Sequence, residues 1–179
     1  MVEFAFFKGP IDDPGDAYPA FAVYGRASAA WARLEHHIDA VLIHINKERF
    51  SERLYEKQHP VSFEKKIDLL KRWFNQHPPL APFAADIRTL TSKLKIVAKE
   101  DRNILLHCIF KSYDKATETL VIQNVQPQSD GDIRIREIKT TVTDLNRFAK
   151  HVNVANLFLG SISQQLFTLG WIERLQMRE

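Results

Sequence analysis

The chain has a single cysteine, Cys108, in 179 residues. That excludes an internal disulfide and a zinc centre built from several cysteines. Glycine is scarce, at 6 residues, and forms neither a phosphate-cradling Gly-rich loop nor a Gly-x-Ser-x-Gly element. No apolar run approaches the roughly 20 residues needed to span a bilayer, so no membrane partner is expected. The N-terminus (Met1-Val2-Glu3-Phe4-Ala5-Phe6-Phe7-Lys8) lacks the basic-then-apolar order of a secretory leader, and a cytoplasmic location is expected. Charge of one sign is nearly absent as a surplus: 25 Lys plus Arg stand against 22 Asp plus Glu, a formal +3. A pI near 9.0 therefore permits nucleic-acid binding without demanding it. Hydrophobic residues, in contrast, make up 45% of the chain, enough for one domain with a real core.

Periodicity organises the chain. Residues 1–16 carry Gly9, Pro10, Asp12, Asp13, Pro14 and Gly15 and read as an irregular arm, with one helical domain over 17–179. From about Pro19, Trp31, Leu34, Ile38, Val41 and Ile45 recur at three- and four-residue steps, one buried helical face that fades by His59-Pro60. Ser62 is placed to cap a second helix with the stripe Phe63, Ile67, Leu70 and Phe74, ended by His77-Pro78-Pro79. A third helix is expected from about Pro82 to Ile109, with Ile87, Leu90, Leu94, Val97, Ile104 and Leu105 inward. The period then turns to alternation over 117–125 and 132–140, a β-hairpin insertion at about 113–140. Thr141 with Asp144 resembles a capping box for a last helix reaching about Arg174, with Leu145, Phe148, Val152, Leu159, Ile162, Leu166 and Leu169 on its stripe. The expected fold is all-α: an antiparallel bundle of four to five helices with a β-hairpin insertion.

Chemistry concentrates in Lys99-Glu100-Asp101-Arg102-Asn103-Ile104-Leu105-Leu106-His107. Arg102 and His107 have four residues between them, and Asn103 follows the arginine. Arg72 to His77 has the same spacing and Arg53 to His59 one residue more, but Leu54 and Trp73 follow those arginines, so only Arg102 has a polar neighbour. On a helix, residues 103 and 107 share a face, while Arg102 lies about 140° from His107 and must converge through its long stem. A histidine with an ordinary pKa of about 6.5 suits a general base, and a guanidinium suits charge developing on phosphoryl oxygens. The plainer alternative is an exposed helix arginine and a core-edge histidine.

This run resembles the motif of the HEPN superfamily, helical-bundle proteins many of which are metal-independent ribonucleases. The resemblance implies that His107 is the base acting on a ribose 2′-hydroxyl, Arg102 the transition-state clamp and Asn103 their support. It further implies single-stranded RNA as substrate, 2′,3′-cyclic phosphate products, no cofactor and no metal. The implied assembly is a homodimer bringing two motifs face to face, in some members beside a nucleotidyltransferase- or antitoxin-type partner. A non-catalytic nucleotide-binding or protein-interaction module on the same bundle is the alternative.

Around the motif, Arg88, Lys95, Lys99 and Arg102 form one stripe that can follow a phosphate backbone, although the solvent face of any amphipathic helix carries such residues. Asp101 falls among apolar positions and must be paired, either to hold Arg102 or in a salt bridge between helices. Glu35, one turn beyond Trp31, is the candidate for the extra acidic residue that HEPN members often carry. His36 and His37 lack the four-residue partners of a helical metal site, His44 with Glu48 has the step but no supporting cluster, and the adjacent His107 and Cys108 diverge by about 100° on a helix.

Overall fold

In a computed structural model, the described residues are 14–47, 59–97, 108–127 and 133–168. They form a predominantly helical unit with one small antiparallel sheet. Helix α1 spans Pro14–Lys47, α2 Phe63–Gln76 and α3 Ala84–Val97, with a 3-10 turn at Pro78–Phe83 joining the last two. Strands β1 (Cys108–Asp114), β2 (Thr119–Pro127) and β3 (Ile133–Thr141) follow, then α4 (Val142–Ser163) and a π-helical turn at Gln164–Thr168. No helix among the described residues is long and apolar enough to cross a membrane.

The first helix begins at Pro14, ahead of the expected Pro19. Proline at a first helical position loses nothing, because that N–H has no partner inside the helix anyway. Along α1, Ala20, Ala27, Ala30, Trp31, Leu34, Ile38, Leu42 and Ile45 are almost fully buried. The small residues in its first half let neighbouring elements approach closely. Trp31 is the junction of the core. Its ring packs on Phe63 of α2 at 4.7 Å and on Phe148 of α4 at 6.0 Å, and its Nε1–H donates to Glu35.

The ends of α2 and α4 follow local chemistry. Ser62 Oγ accepts from Lys65 N–H at 3.4 Å, and the stripe Phe63, Ile67, Leu70 and Phe74 is buried as expected. At the other cap, Asp144 N–H donates to Thr141 Oγ1 at 3.1 Å while that hydroxyl donates to Asp144 Oδ2 at 2.7 Å. The acid thus answers the cap through the hydroxyl, since an aspartate is one methylene shorter than the glutamate of a full capping box.

Two expectations need correction. Helix α3 does not run to Ile109: Cys108 and Ile109 are the first residues of β1, paired with Asn124 and Gln123. The insertion is accordingly a three-stranded meander in the order β1-β2-β3, with β2 central. Leu120, Ile122 and Asn124 are buried on one face of β2, and Ile122 lies opposite both Phe110 and Ile138. Phe110 then packs against Phe21 of α1 with the rings tilted, which seats the sheet at the start of that helix.

The second correction concerns direction. Arg33 meets Asn153, His37 meets Asn156 and Ser163, and His44 meets Phe167, so positions rise together along α1 and α4. These helices run parallel, not antiparallel. The sheet makes this possible, because β3 delivers the chain back to the end where α1 begins. The junction is tied by Val142 N–H donating to the Glu118 carbonyl at 3.1 Å. Glu118 itself has φ 49°, a left-handed conformation that is costly for a residue with a Cβ.

Two stability tests follow. Trp31→Ala should cost about 3–5 kcal/mol in equilibrium denaturation, because three elements lose one shared side chain. Glu118→Gly should raise stability by about 0.5–1 kcal/mol, and a loss instead would show that the Glu118 side chain matters more than its backbone strain.

Candidate functional site

The motif residues Asp101, Arg102, Asn103 and His107, together with Lys99, Ile104 and Leu105, lie outside the described residues. Their flanks are described. Upstream, Leu94 is buried on α3 and Val97 packs against the core. Downstream, β1 is paired along β2 from Cys108 onward. The chain thus carries the motif between two anchored elements.

Of the expected basic stripe, Arg88 and Lys95 are exposed on α3. Lys95 forms an ion pair with Asp68 of α2, so part of that stripe is spent on holding two helices together.

Glu35 is drawn into a polar cluster between α1 and α2. Its carboxylate accepts from Trp31 Nε1 at 3.1 Å and from Lys66 Nζ at 3.2 Å. Lys66, only 7% exposed, also donates to Asp39 at 2.8 Å, and His59 Nε2–H donates to the other Asp39 oxygen at 2.7 Å. A lysine this buried needs both carboxylates. Burial pushes the Asp39 carboxyl up, but hydrogen bonds from Lys66 and His59, with their charges, outweigh it and hold the group below its ordinary value.

The interface of α1 and α4 holds the groups that the sequence alone did not mark. An open groove of about 620 Å³ runs between these helices. Arg26, Ala29 and Arg33 line it from α1; Asn146, Ala149, Lys150, Asn153, Val154 and Leu157 line it from α4. It therefore contains three cations and two carboxamides, and no carboxylate. Arg33 Nη2 donates to Asn153 Oδ1 at 3.4 Å, a neutral partner that orients the guanidinium and leaves its charge uncompensated. Arg26 and Arg33 are seven residues apart, as are Asn146 and Asn153. Each spacing is legible on its own helix. Their convergence required knowing that α1 and α4 are parallel.

One turn further, His37 bridges the same two helices, with Nδ1 2.9 Å from Asn156 Oδ1 and Nε2 3.1 Å from Ser163 Oγ. The order hydroxyl, imidazole, carboxamide resembles a nucleophile, base and orienter. Ser163, however, donates its hydroxyl hydrogen to the Leu159 carbonyl at 2.9 Å, and neither His37 nor Ser163 lines the groove. The set acts as a polar clamp between helices. Gly160 lies beside it, where a Cβ would make ordinary contact with His37 Cε1 at 3.5 Å. Among the described residues, no three His, Cys, Asp or Glu side chains gather as a metal cage requires.

Comparison with protein-family models, with characterised proteins and with solved structures finds no match for this chain.

The Asp39 cluster has a predictable pH signature. Its carboxyl titrates lower in the folded chain than in the unfolded one. The stability it contributes is therefore fully present above about pH 4 and is lost as pH falls through the lower folded value. Asp39→Asn should cost about 1–3 kcal/mol at pH 7 and make stability less pH-dependent below about pH 4. Denaturant titrations at pH 7 and pH 3 read both effects; an unchanged acid slope would remove Asp39 from the explanation.

Proposed function

We propose that this chain is a metal-independent endoribonuclease of HEPN type, with a HEPN-like helical core, working in the cytoplasm as a homodimer. The observation that carries the reading is the run Arg102-Asn103-Ile104-Leu105-Leu106-His107, set between the buried end of α3 and the start of β1. The reading rests on these residue types and not on the direction of the helices.

In this reading His107 takes the proton of a ribose 2′-hydroxyl. The 2′-oxygen attacks the adjacent phosphorus, the P–O5′ bond breaks, and the 5′-oxygen leaves and is protonated. The upstream product ends in a 2′,3′-cyclic phosphate. Arg102 stabilises the added negative charge on the phosphoryl oxygens, a role its fork of donors fits. Asn103 orients the imidazole or holds a phosphoryl oxygen. A nucleotidyltransferase- or antitoxin-type protein is the partner class that goes with this reading.

The purified full chain should cleave end-labelled single-stranded RNA with EDTA present and leave cyclic phosphate ends. His107→Ala should slow cleavage by about 10²–10⁴-fold, the usual contribution of a general base. Arg102→Ala should slow it by about 10²-fold or more. Wild-type protein that leaves RNA intact, or His107→Ala that cuts at the wild-type rate, overturns the catalytic reading in favour of a binding module.

A further inference from the structure

We infer that the groove between α1 and α4 is a track for the sugar–phosphate backbone of single-stranded RNA. The choice of RNA rests on the nuclease reading; the preference for a repeating anion rests on the groove itself.

The groove repeats. Arg33 and Asn153, hydrogen-bonded across the helices, are 120 positions apart in sequence. Arg26 and Asn146, one heptad earlier on each helix, have the same offset and line the same groove. Two parallel helices in register thus bring an arginine and an asparagine to the groove twice, about 10 Å apart along the axis and hydrogen-bonded at Arg33–Asn153, with Lys150 between them. A repeated cation-and-amide pair matches a ligand that repeats its anion, because the guanidinium takes a phosphate and the carboxamide can donate or accept at the sugar. Val154 and Leu157, 58% and 75% exposed, supply an apolar wall for sugar and base faces.

Two further observations separate this occupant from others. Arg26, Arg33 and Lys150 form no ion pair with a carboxylate among the described residues. Elsewhere Lys95 pairs with Asp68 and Lys111 with Glu137, while Lys65, Lys71 and Lys93 also form no ion pair among the described residues and supply the control below. A second copy of the chain docking by its own groove across a two-fold axis would bring like charges together, which is costly. Phe110, three residues after His107 in sequence, packs against Phe21, five residues before Arg26 on α1. Strand β1 thus meets α1 within about two turns of Arg26 along the helix, on a face about 140° round from it.

The test uses the full wild-type chain and a fluorescein-labelled, single-stranded 2′-O-methyl oligoribonucleotide, which keeps the phosphates but lacks the 2′-hydroxyl needed for cleavage. Anisotropy titrations at several salt concentrations should give salt-dependent binding. The triple variant Arg26→Ala/Arg33→Ala/Lys150→Ala should bind at least tenfold more weakly. Its log–log salt slope should be shallower by about 2, as expected for losing three single-strand phosphate contacts. A charge-matched control, Lys65→Ala/Lys71→Ala/Lys93→Ala on α2 and α3, should stay within twofold of wild type. The altered groove side chains are exposed, and a circular-dichroism melt confirms that the variant is folded.

Unchanged affinity and slope in the groove variant overturn the inference. So does polyglutamate competing as well as the oligonucleotide, which would assign the groove to an acidic protein. The two readings fail separately. Groove-independent binding with His107-dependent cleavage sinks only the track; groove-dependent binding with His107-independent cleavage sinks only the nuclease.

Discussion

Everything in this fold is arranged around two helices that run side by side in the same direction. A short turn can join antiparallel helices, but parallel neighbours need a long return path. Here α2, α3 and the three strands make that path. The sheet closes it, through Phe110 on Phe21 at the start of α1 and Val142 on Glu118 at the start of α4. Parallel helices also align their macrodipoles, a mild electrostatic cost. Burial of Trp31, Leu34, Phe148 and Leu159 offsets it, and cross-helix polar contacts fix which residues meet.

Those polar contacts divide into two kinds. Between α1 and α2 the Lys66 ammonium is compensated by Glu35 and Asp39, and the cluster is half-buried and closed. Between α1 and α4 Arg33 has a neutral partner, Arg26 and Lys150 form no ion pair among the described residues, and the cleft is open. The first arrangement stabilises a fold at neutral pH. The second leaves a fixed positive potential at the surface, which is worth more to an incoming anion than to the fold itself.

What the sequence made legible was local. Ser62, Thr141 and the three-four stripes of α1, α2 and α4 depend on neighbours within a turn, so residue type and spacing suffice to read them. Direction was hidden, because a near-heptad stripe is the same whether its partner runs up or down. Strand β1 was hidden for a related reason: Leu105, Cys108 and Ile109 continue a helical spacing, and only pairing with β2 makes Cys108 and Ile109 strand. In the groove, Arg26 and Arg33 read as ordinary surface residues until Asn153, 120 positions away, is found beside them. The reading at Arg102 and His107 rests on residue identity and spacing alone, since those residues lie outside the described ones.

The parallel pairing also bears on how the protein is made. Helix α1 leaves the ribosome well before α4, which covers one of its faces. At about 5–20 residues per second, the roughly one hundred residues between them take on the order of ten seconds to appear. For that interval Trp31 lacks Phe148 of α4, which completes its burial. The nascent chain therefore carries a sticky helix through that interval, a window in which a chaperone or a second nascent copy competes with the native partner.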